Sequence, residues 1–259
     1  MKAKKIVQDL KVVRKTFINY GHFILELKSP GVLPEMTPGQ FAEVLIENSR
    51  NTFLRRPLSI HDVDVKQNTL LLLVKIAGEG TRVLSTLDRN DTLNLIYPLG
   101  RGFTLPADGK VLLAGGGCGA APLLFLARRL HEKGIEQIIL TGAQTKKDLL
   151  EIREFKKYGE VLITTDDGSL GEKGYITKHP VWSGLNAFDR VYCCGPELMM
   201  KAVARIAKAK KVDCEVSLEN TMACGIGACL CCVTETVRGN ECVCTAGPVF
   251  NIKELKWRI

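Results

Sequence analysis

The sequence predicts a multidomain α+β protein: a small antiparallel β-barrel, then an α/β unit built on a parallel sheet, then a short cysteine-rich segment. Three observations carry this reading. Short apolar runs broken by glycine and proline fill the first hundred residues, a barrel-like spacing. From Val111 apolar runs alternate with helix-length segments, the pattern of βαβ units. Six of the ten cysteines (Cys224, Cys229, Cys231, Cys232, Cys242, Cys244) fall within 21 residues near the C-terminus.

At 259 residues, 46% hydrophobic and 25% charged, the chain has room for two or three cores and is neither disordered nor fibrous in composition. No apolar stretch has the length of a membrane span, and the start M-K-A-K-K-I-V-Q-D-L lacks an apolar h-region, so a cytoplasmic protein without membrane association is expected. The +8 balance comes from scattered basic residues with no interleaved aromatic stripe, which argues against nucleic acid as a partner.

Taken in order, K-I-V-Q-D-L-K-V-V, F-I-L-E-L, F-A-E-V-L-I-E, T-L-L-L-L-V-K-I-A and L-N-L-I-Y-P-L read as strands. Ser29-Pro30-Gly31, Pro38-Gly39, Gly78-Glu79-Gly80 and Pro98-Leu99-Gly100 separate them, and a linker over about 100–110 closes the unit. Next come V-L-L-A, a helix over about 120–133, I-I-L-T-G, a helix near 147–157, V-L-I-T-T, R-V-Y-C-C-G and a helix from about Glu197. Residues 212–218 offer a last strand. The expected units are 1–103, 104–212 and 213–259.

The cysteines point to a localised inorganic site, because a reducing compartment disfavours a disulfide framework. Cys224, Cys229 and Cys232 form Cys-x4-Cys-x2-Cys, and Cys244 follows at a distance, which is the plant-type spacing for a two-iron, two-sulfur cluster. Glycines within the run permit the tight turns that aim backbone N–H groups at sulfur. Structural zinc is the alternative, although zinc ribbons usually present two Cys-x2-Cys knuckles and only one is obvious here. Cys231 and Cys242 are read as neighbours that do not ligate.

Three further runs suggest ligand contacts. Ala114-Gly115-Gly116-Gly117-Cys118-Gly119-Ala120 follows a buried strand and opens a helix, where bare N–H groups can accept a pyrophosphate. Glycine turns also serve packing, and the acidic residue of a simple Rossmann unit is missing, since the second strand ends in Thr141-Gly142-Ala143-Gln144. Asp166-Asp167-Gly168-Ser169 offers either a carboxylate for a ribose hydroxyl or a solvated turn. Arg55-Arg56-Pro57-Leu58-Ser59, at the end of a barrel strand, with Lys75 and the turn Gly78-Glu79-Gly80-Thr81, can pair with a phosphate and a flavin edge, or be a solvated basic edge. Cys193-Cys194-Gly195-Pro196-Glu197 places a thiol at the carboxyl edge of the sheet, as a contact for a ligand or as a small apolar filler. No hydrolytic constellation is recognisable, and His22, His61, His131 and His179 stand in unrelated contexts.

In this order R-P-L-S, G-G-G-C-G-A-A-P-L and C-C-G-P-E-L-M-M resemble the ferredoxin-NADP reductase superfamily. With T-M-A-C-G-I-G-A-C-L-C-C and C-T-A-G-P-V-F, the resemblance narrows to the electron transfer subunits of NAD-dependent dihydroorotate dehydrogenases and covers nearly the whole chain. It implies one FAD per chain, met by Arg56, Pro57, Leu58, Ser59, Leu73, Val74, Lys75, Gly80 and Thr81. It implies a nucleotide site for NAD with Gly115, Gly116, Gly117, Gly119, Cys194 and Gly195, and one 2Fe-2S cluster on Cys224, Cys229, Cys232 and Cys244. No catalytic acid or base is assigned, because the cofactors carry the chemistry. The implied partner is an FMN-containing catalytic subunit that oxidises dihydroorotate to orotate in pyrimidine (UMP) biosynthesis, in a heterotetramer of two of each chain. Cys118 departs from the aliphatic residue usual in the glycine turn, and Cys231 and Cys242 add thiols near the cluster. The rival within the superfamily is a subunit of a sulfide dehydrogenase or bifurcating transhydrogenase, whose first cluster ligand tends to be aspartate where this chain has Cys224. A zinc-containing binding module is the rival from outside it.

Overall fold

The computed structural model describes residues 5–47, 49 and 51–259. Six strands close the barrel: β1 (Ile6–Asn19), β2 (His22–Lys28), β3 (Phe41–Val44), β4 (Arg56–Asp64), β5 (Thr69–Lys75) and β6 (Thr92–Leu99). Their order is β1-β2-β5-β4-β3-β6, and each adjacent pair is antiparallel. Alternation builds it: Phe23, Leu25 and Leu27 of β2 lie opposite Val74, Leu72 and Leu70 of β5, and all six are buried inside. The run from Arg55 to Ser59, expected at the end of a strand, instead opens β4, where a proline near the first residues is tolerated. The expected turn Gly78-Glu79-Gly80-Thr81 is the start of a helix, α1 (Glu79–Thr86).

The α/β unit follows as β7 (Lys110–Gly116), a 3-10 turn (Gly117–Gly119), α2 (Ala120–Glu132), β8 (Glu136–Ala143), α3 (Ile152–Phe155), β9 (Glu160–Thr165), β10 (Glu172–Lys173), β11 (Arg190–Cys194), α4 (Glu197–Lys210) and β12 (Asp213–Ser217). Instead of the helix expected near 147–157 there are a 3-10 turn (Lys146–Asp148) and the short α3. Leu149 is extended and Glu151 is left-handed (φ 58°), so the helical path is interrupted while Leu150 is buried.

The remaining elements are β13 (Val233–Thr236), β14 (Gly239–Cys242), α5 (Val243–Ala246) and β15 (Val249–Asn251). One sheet runs β10-β9-β8-β7-β11-β12-β15, parallel throughout except for the last pair, and β13 and β14 form a separate hairpin. The expected limit at 212 falls just before β12, which pairs with β11, so the sheet continues past it. The cysteine segment therefore leaves the sheet after β12 and returns to it at β15.

Helix α2 joins the two halves. Pro122 sits in its first turn, where a missing N–H breaks no helical bond, and Gly134 (φ +74°) closes its far end. Phe125 packs into the barrel core, whereas Leu126 and Leu130 pack on the sheet. The Arg128 fork grips Asp62 of β4 at 2.7 and 2.9 Å, a charge-assisted tie between the units.

Glu254 is a second tie. It accepts from Arg101 in the linker (2.8 Å), from Arg238 beside the hairpin (2.9 Å) and from the Asn251 N–H (2.9 Å). Partial burial works against its charge, but these donors outweigh it and hold the carboxyl down to about 2. A carboxyl depressed on folding contributes stability above its unfolded value of about 4.3, and that contribution is lost as pH falls toward 2. After allowance for solvent screening, Glu254→Gln is expected to cost on the order of 2 kcal/mol at pH 7. Denaturation of both proteins from pH 7 to pH 3 checks this; the gap should narrow on acidification, and a constant gap contradicts it.

Candidate functional site

A cleft of about 660 Å³ opens between the barrel and the carboxyl edge of the parallel sheet. The barrel side carries Pro57, Leu58 and Ser59 of β4 with Leu73 and Lys75 of β5; the sheet side carries Gly116, Gly117 and Gly195. Topology explains the position. From β7 the sheet grows outward through β8 and β9, whereas β11 lies on the other flank of β7, and ligands of open α/β sheets bind at such a switch point.

The other expected contacts stand differently. Arg56 lies over the start of α1: a methyl group on Gly80 would be 3.4 Å from its Nε, so guanidinium and helix N-terminus form one positive corner. The Thr81 hydroxyl accepts from the N–H groups of Ala77 and Gly78 and donates to the Gly78 carbonyl, bonds that shape this corner from within. Val74 points into the barrel core, leaving only its main chain toward a ligand. Gly115 and Gly119 are packing glycines. A Cβ on Gly119 would lie 2.0 Å from the Cys194 carbonyl oxygen, so the bare turn lets β7 and β11 close together. Cys194 is buried behind the wall, with its thiol 3.7 Å from the Ser217 carbonyl.

Sequence reasoning missed one wall, made of Phe41, Pro248 and the stretch Ser217–Leu218–Glu219–Asn220–Thr221–Met222. The available signal was a polar run directly after the last parallel strand, at the carboxyl edge where ligands gather. Glu219 stands at the cleft mouth. Desolvation raises its carboxyl above the ordinary range, and the Lys75 charge opposes this. Burial pushes the Cys118 thiol up to about 11, with the Glu219 charge adding to it and Lys75 subtracting. Burial likewise raises Cys194. Both thiols are thus neutral near pH 7, soft contacts and not nucleophiles.

The terminal cysteines form pairs. The Cys224 sulfur accepts from the Cys229 N–H and the Cys232 sulfur from the Cys244 N–H, each at 3.4 Å. Burial opposes ionisation of Cys224, but N–H groups of Ile226, Cys229 and Ala228 outweigh it and bring the thiol down to about 6. Gly225 (φ +66°) and Gly227 (φ +87°) allow that concave run of amides, a nest suited to anionic sulfur. Two thiol pairs match the needs of two irons that share bridging sulfides, each iron taking two protein ligands. Among the described residues, no three His, Cys, Asp or Glu side chains converge as they would around one ion. Cys231 is exposed and turned to the Thr221 carbonyl at 3.6 Å. Cys242, at the end of β14, also interacts with Cys232, so proximity alone gives Cys232 two neighbours; only Cys244 is fully buried and directs its own amide at that sulfur. The loop abuts the barrel at Glu43 of β3. Burial lifts that carboxyl to about 7 against the pull of Arg55.

A closed barrel facing a glycine turn across a switch-point cleft, with paired thiols beside it, defines an NAD-linked flavoprotein oxidoreductase of the ferredoxin reductase type. Comparison with known proteins narrows the class. Residues 219–256 match the family described as the iron-sulfur cluster binding domain of dihydroorotate dehydrogenase B, and residues 113–205 match the oxidoreductase NAD-binding domain. The chain is 37% identical over 254 residues to the dihydroorotate dehydrogenase B (NAD(+)) electron transfer subunit of Fusobacterium nucleatum, covering 94% of this chain and 96% of the relative. It is 38% identical over 261 residues to the subunit of the same name from Desulforamulus reducens, covering 97% and 98%. Among solved structures, the NADH-dependent reduced ferredoxin-NADP oxidoreductase studied for flavin-based electron bifurcation superposes with a TM-score of 0.86 at 32% identity, covering 96% of this chain and 90% of that one. The ferredoxin reductase of carbazole 1,9a-dioxygenase shares the fold at 19% identity and a TM-score of 0.70, covering 82% and 68%. The chain belongs to the family of dihydroorotate dehydrogenase B (NAD(+)) electron transfer subunits.

Proposed function

We propose that this chain takes electrons from the FMN of a partner catalytic subunit, which oxidises dihydroorotate to orotate, and delivers them through a 2Fe-2S cluster and FAD to NAD+. The reaction belongs to pyrimidine (UMP) biosynthesis in the cytoplasm, and the complex is a heterotetramer of two of each chain. Among the described residues no helix is long and apolar enough to cross a membrane. One observation carries the reading: a single cleft sets the barrel's Pro57-Leu58-Ser59 against the glycine turn, while the paired thiols lie on a loop that touches the same barrel.

In this reading the barrel holds FAD. Arg56 and the start of α1 take its phosphates, and Leu58, Ser59, Leu73, Lys75 and the Val74 main chain bound its ring. Gly116, Gly117 and Gly195 admit NAD closely, and Gly115, Gly119 and Cys194 hold that wall in place. Cys224 and Cys229 bind one iron, Cys232 and Cys244 the other. When bound, the flavin exchanges a hydride with nicotinamide and single electrons with the cluster. The chain's own residues position and desolvate these groups and move no proton themselves. The domain limits follow the same division, with a barrel over 1–103 and a nucleotide unit whose sheet includes β12 and β15. The similarity to the bifurcating enzyme marks the rival reading, but the two curated relatives are nearer in identity, and the first cluster position is Cys224.

Co-expression with an FMN-containing dihydroorotate dehydrogenase chain is expected to give a complex that copurifies and reduces NAD+ with dihydroorotate. If the chain ignores that partner and copurifies with a different oxidoreductase, the reading is wrong.

A further inference from the structure

Of the four histidines only His61 is fully buried. It owes its place to a β-bulge. Ile60 of β4 pairs with Leu72 of β5 and Asp62 pairs with Leu71, so His61 is an extra residue in the ladder. Ile60 and Val63 point into the barrel core, and His61 and Asp62 both turn outward, where a regular strand would send the second back inside. Each of the two grips α2. Asp62 holds Arg128, and the His61 Nδ1 lies 3.0 Å from the Ala121 carbonyl oxygen.

The ring has a second contact. Its Nε2 lies 3.4 Å from Oε2 of Glu151, a side chain that is only 10% exposed. Glu151 has a left-handed backbone (φ 58°), a costly conformation for a glutamate and of the kind retained where a side chain must be aimed. The cations around it are engaged elsewhere: Arg128 by Asp62 and Glu132, and Lys157 by Glu154 at 2.5 Å. A carbonyl and a carboxylate both accept, so both ring nitrogens face acceptors. The imidazole is thus clamped from two edges, one by the start of α2 and the other by the residue before α3.

Both sides of this clamp reach the cleft. Ser59, two residues before His61, lines its barrel wall, and Ala121 lines it beside the glycine turn. Arg128 stands seven residues further along α2, a rise of about 10 Å, so the Asp62 tie fixes the far part of the helix and leaves the cleft end to His61. We propose that His61 and Glu151 are positioning residues for hydride transfer: the clamped ring fixes the glycine turn and the start of α2 against β4, and thereby sets how closely nicotinamide approaches the flavin. Contacts within each half bind that half's own nucleotide, whereas this contact acts on the spacing between the halves. Its loss lowers the limiting rate of flavin reduction and spares the affinity for NADH.

The inference rests on the flavin barrel and nucleotide cleft of the proposed function, not on its cluster or partner, so the FAD content of the wild-type holoprotein and its reduction by NADH are measured first. Absence of either overturns that reading and this one with it. Stopped-flow reduction over a range of NADH concentrations then gives the limiting rate and the dissociation constant. The charge-transfer absorbance of reduced flavin stacked on NAD+ reports the approach of the two rings directly. His61→Leu and Glu151→Ala are expected to slow the limiting rate at least about tenfold and to weaken that absorbance, with FAD content and the NADH dissociation constant unchanged. Glu151→Gln, whose amide can donate to the ring or accept from it, is expected to stay near wild type. Glu151→Ala leaves the Ala121 contact in place and carries the test if His61→Leu does not hold FAD. An unchanged rate and absorbance in Glu151→Ala, a loss confined to the dissociation constant, or a Gln variant as slow as Ala overturns the role of the pair while leaving the reading of the cleft standing.

Discussion

Replacing Cys244 with serine abolishes the cluster, whereas replacing Cys242 spares it. The two thiols are two residues apart and both stand near Cys232, yet they differ in kind. Cys244 is fully buried at the start of α5, its amide fixed on the Cys232 sulfur at 3.4 Å, and the Val243 N–H is bonded to the Cys232 carbonyl at 2.9 Å. Two successive amides thus lock the Cys244 end against Cys232, as a ligand pair on one iron requires. Cys242 is the last residue of a hairpin strand and is only partly covered. Serine is a poor ligand for iron beside soft thiolates, so loss of one true ligand removes most of the bound iron. Iron and sulfide content, with the signal of the dithionite-reduced protein, check both variants. Iron lost from Cys242→Ser and kept in Cys244→Ser would reverse the ligand assignment.

A single methyl group on Gly119 has the next largest effect. The added Cβ would meet Cys194 O at 2.0 Å, Cys194 C at 2.3 Å and Gly195 N at 2.8 Å, all of them backbone atoms. No rotamer change relieves a clash with backbone, so the turn must lift from the end of β11. Overpacking of this kind costs roughly 3 kcal/mol. Because both walls of the nucleotide cleft move apart, Gly119→Ala should also slow flavin reduction by NADH at least about tenfold, through loss of a few tenths to one ångström of fit. Gly117→Ala is the contrast: nothing lies within 4 Å of a Cβ there, and only its left-handed φ of +53° is strained, at a cost of about 1 kcal/mol. Thermal melts and stopped-flow reduction separate the two, and equal stability of both variants contradicts the packing argument.

These examples show what the sequence makes legible. The strands β1, β2, β3, β5 and β6 can be read because each is a short apolar run bounded by turn residues, and along β2 the inward residues Phe23, Leu25 and Leu27 alternate cleanly. β4 could not be read as a strand of its own, since Arg56, Pro57, Ser59 and Asp62 break the pattern, and Asp62 is there for Arg128 on a helix far along the chain. α1 was hidden by Gly78 just before it and Gly80 in its first turn, which together look like a turn. The glycine turn and the cysteine spacing are local signals and were legible. The wall over 217–222 was not, because nothing in its composition says that it faces a barrel strand, a fact fixed only when β12 is placed beside β11. Glu43 reads as an ordinary outward residue of F-A-E-V, but it is buried, with Gly225 of the cysteine loop close against its side chain.

The central claim is that nicotinamide, flavin and cluster form one conducting path in this chain. Anaerobic titration of the isolated holoprotein with NADH, followed by visible absorption and electron paramagnetic resonance together, tests it most directly. The account requires the flavin band to bleach and a reduced two-iron signal to grow in step, approaching the amount that dithionite produces. Bleaching of the flavin with no cluster signal, in protein shown to contain iron and sulfide, would contradict it.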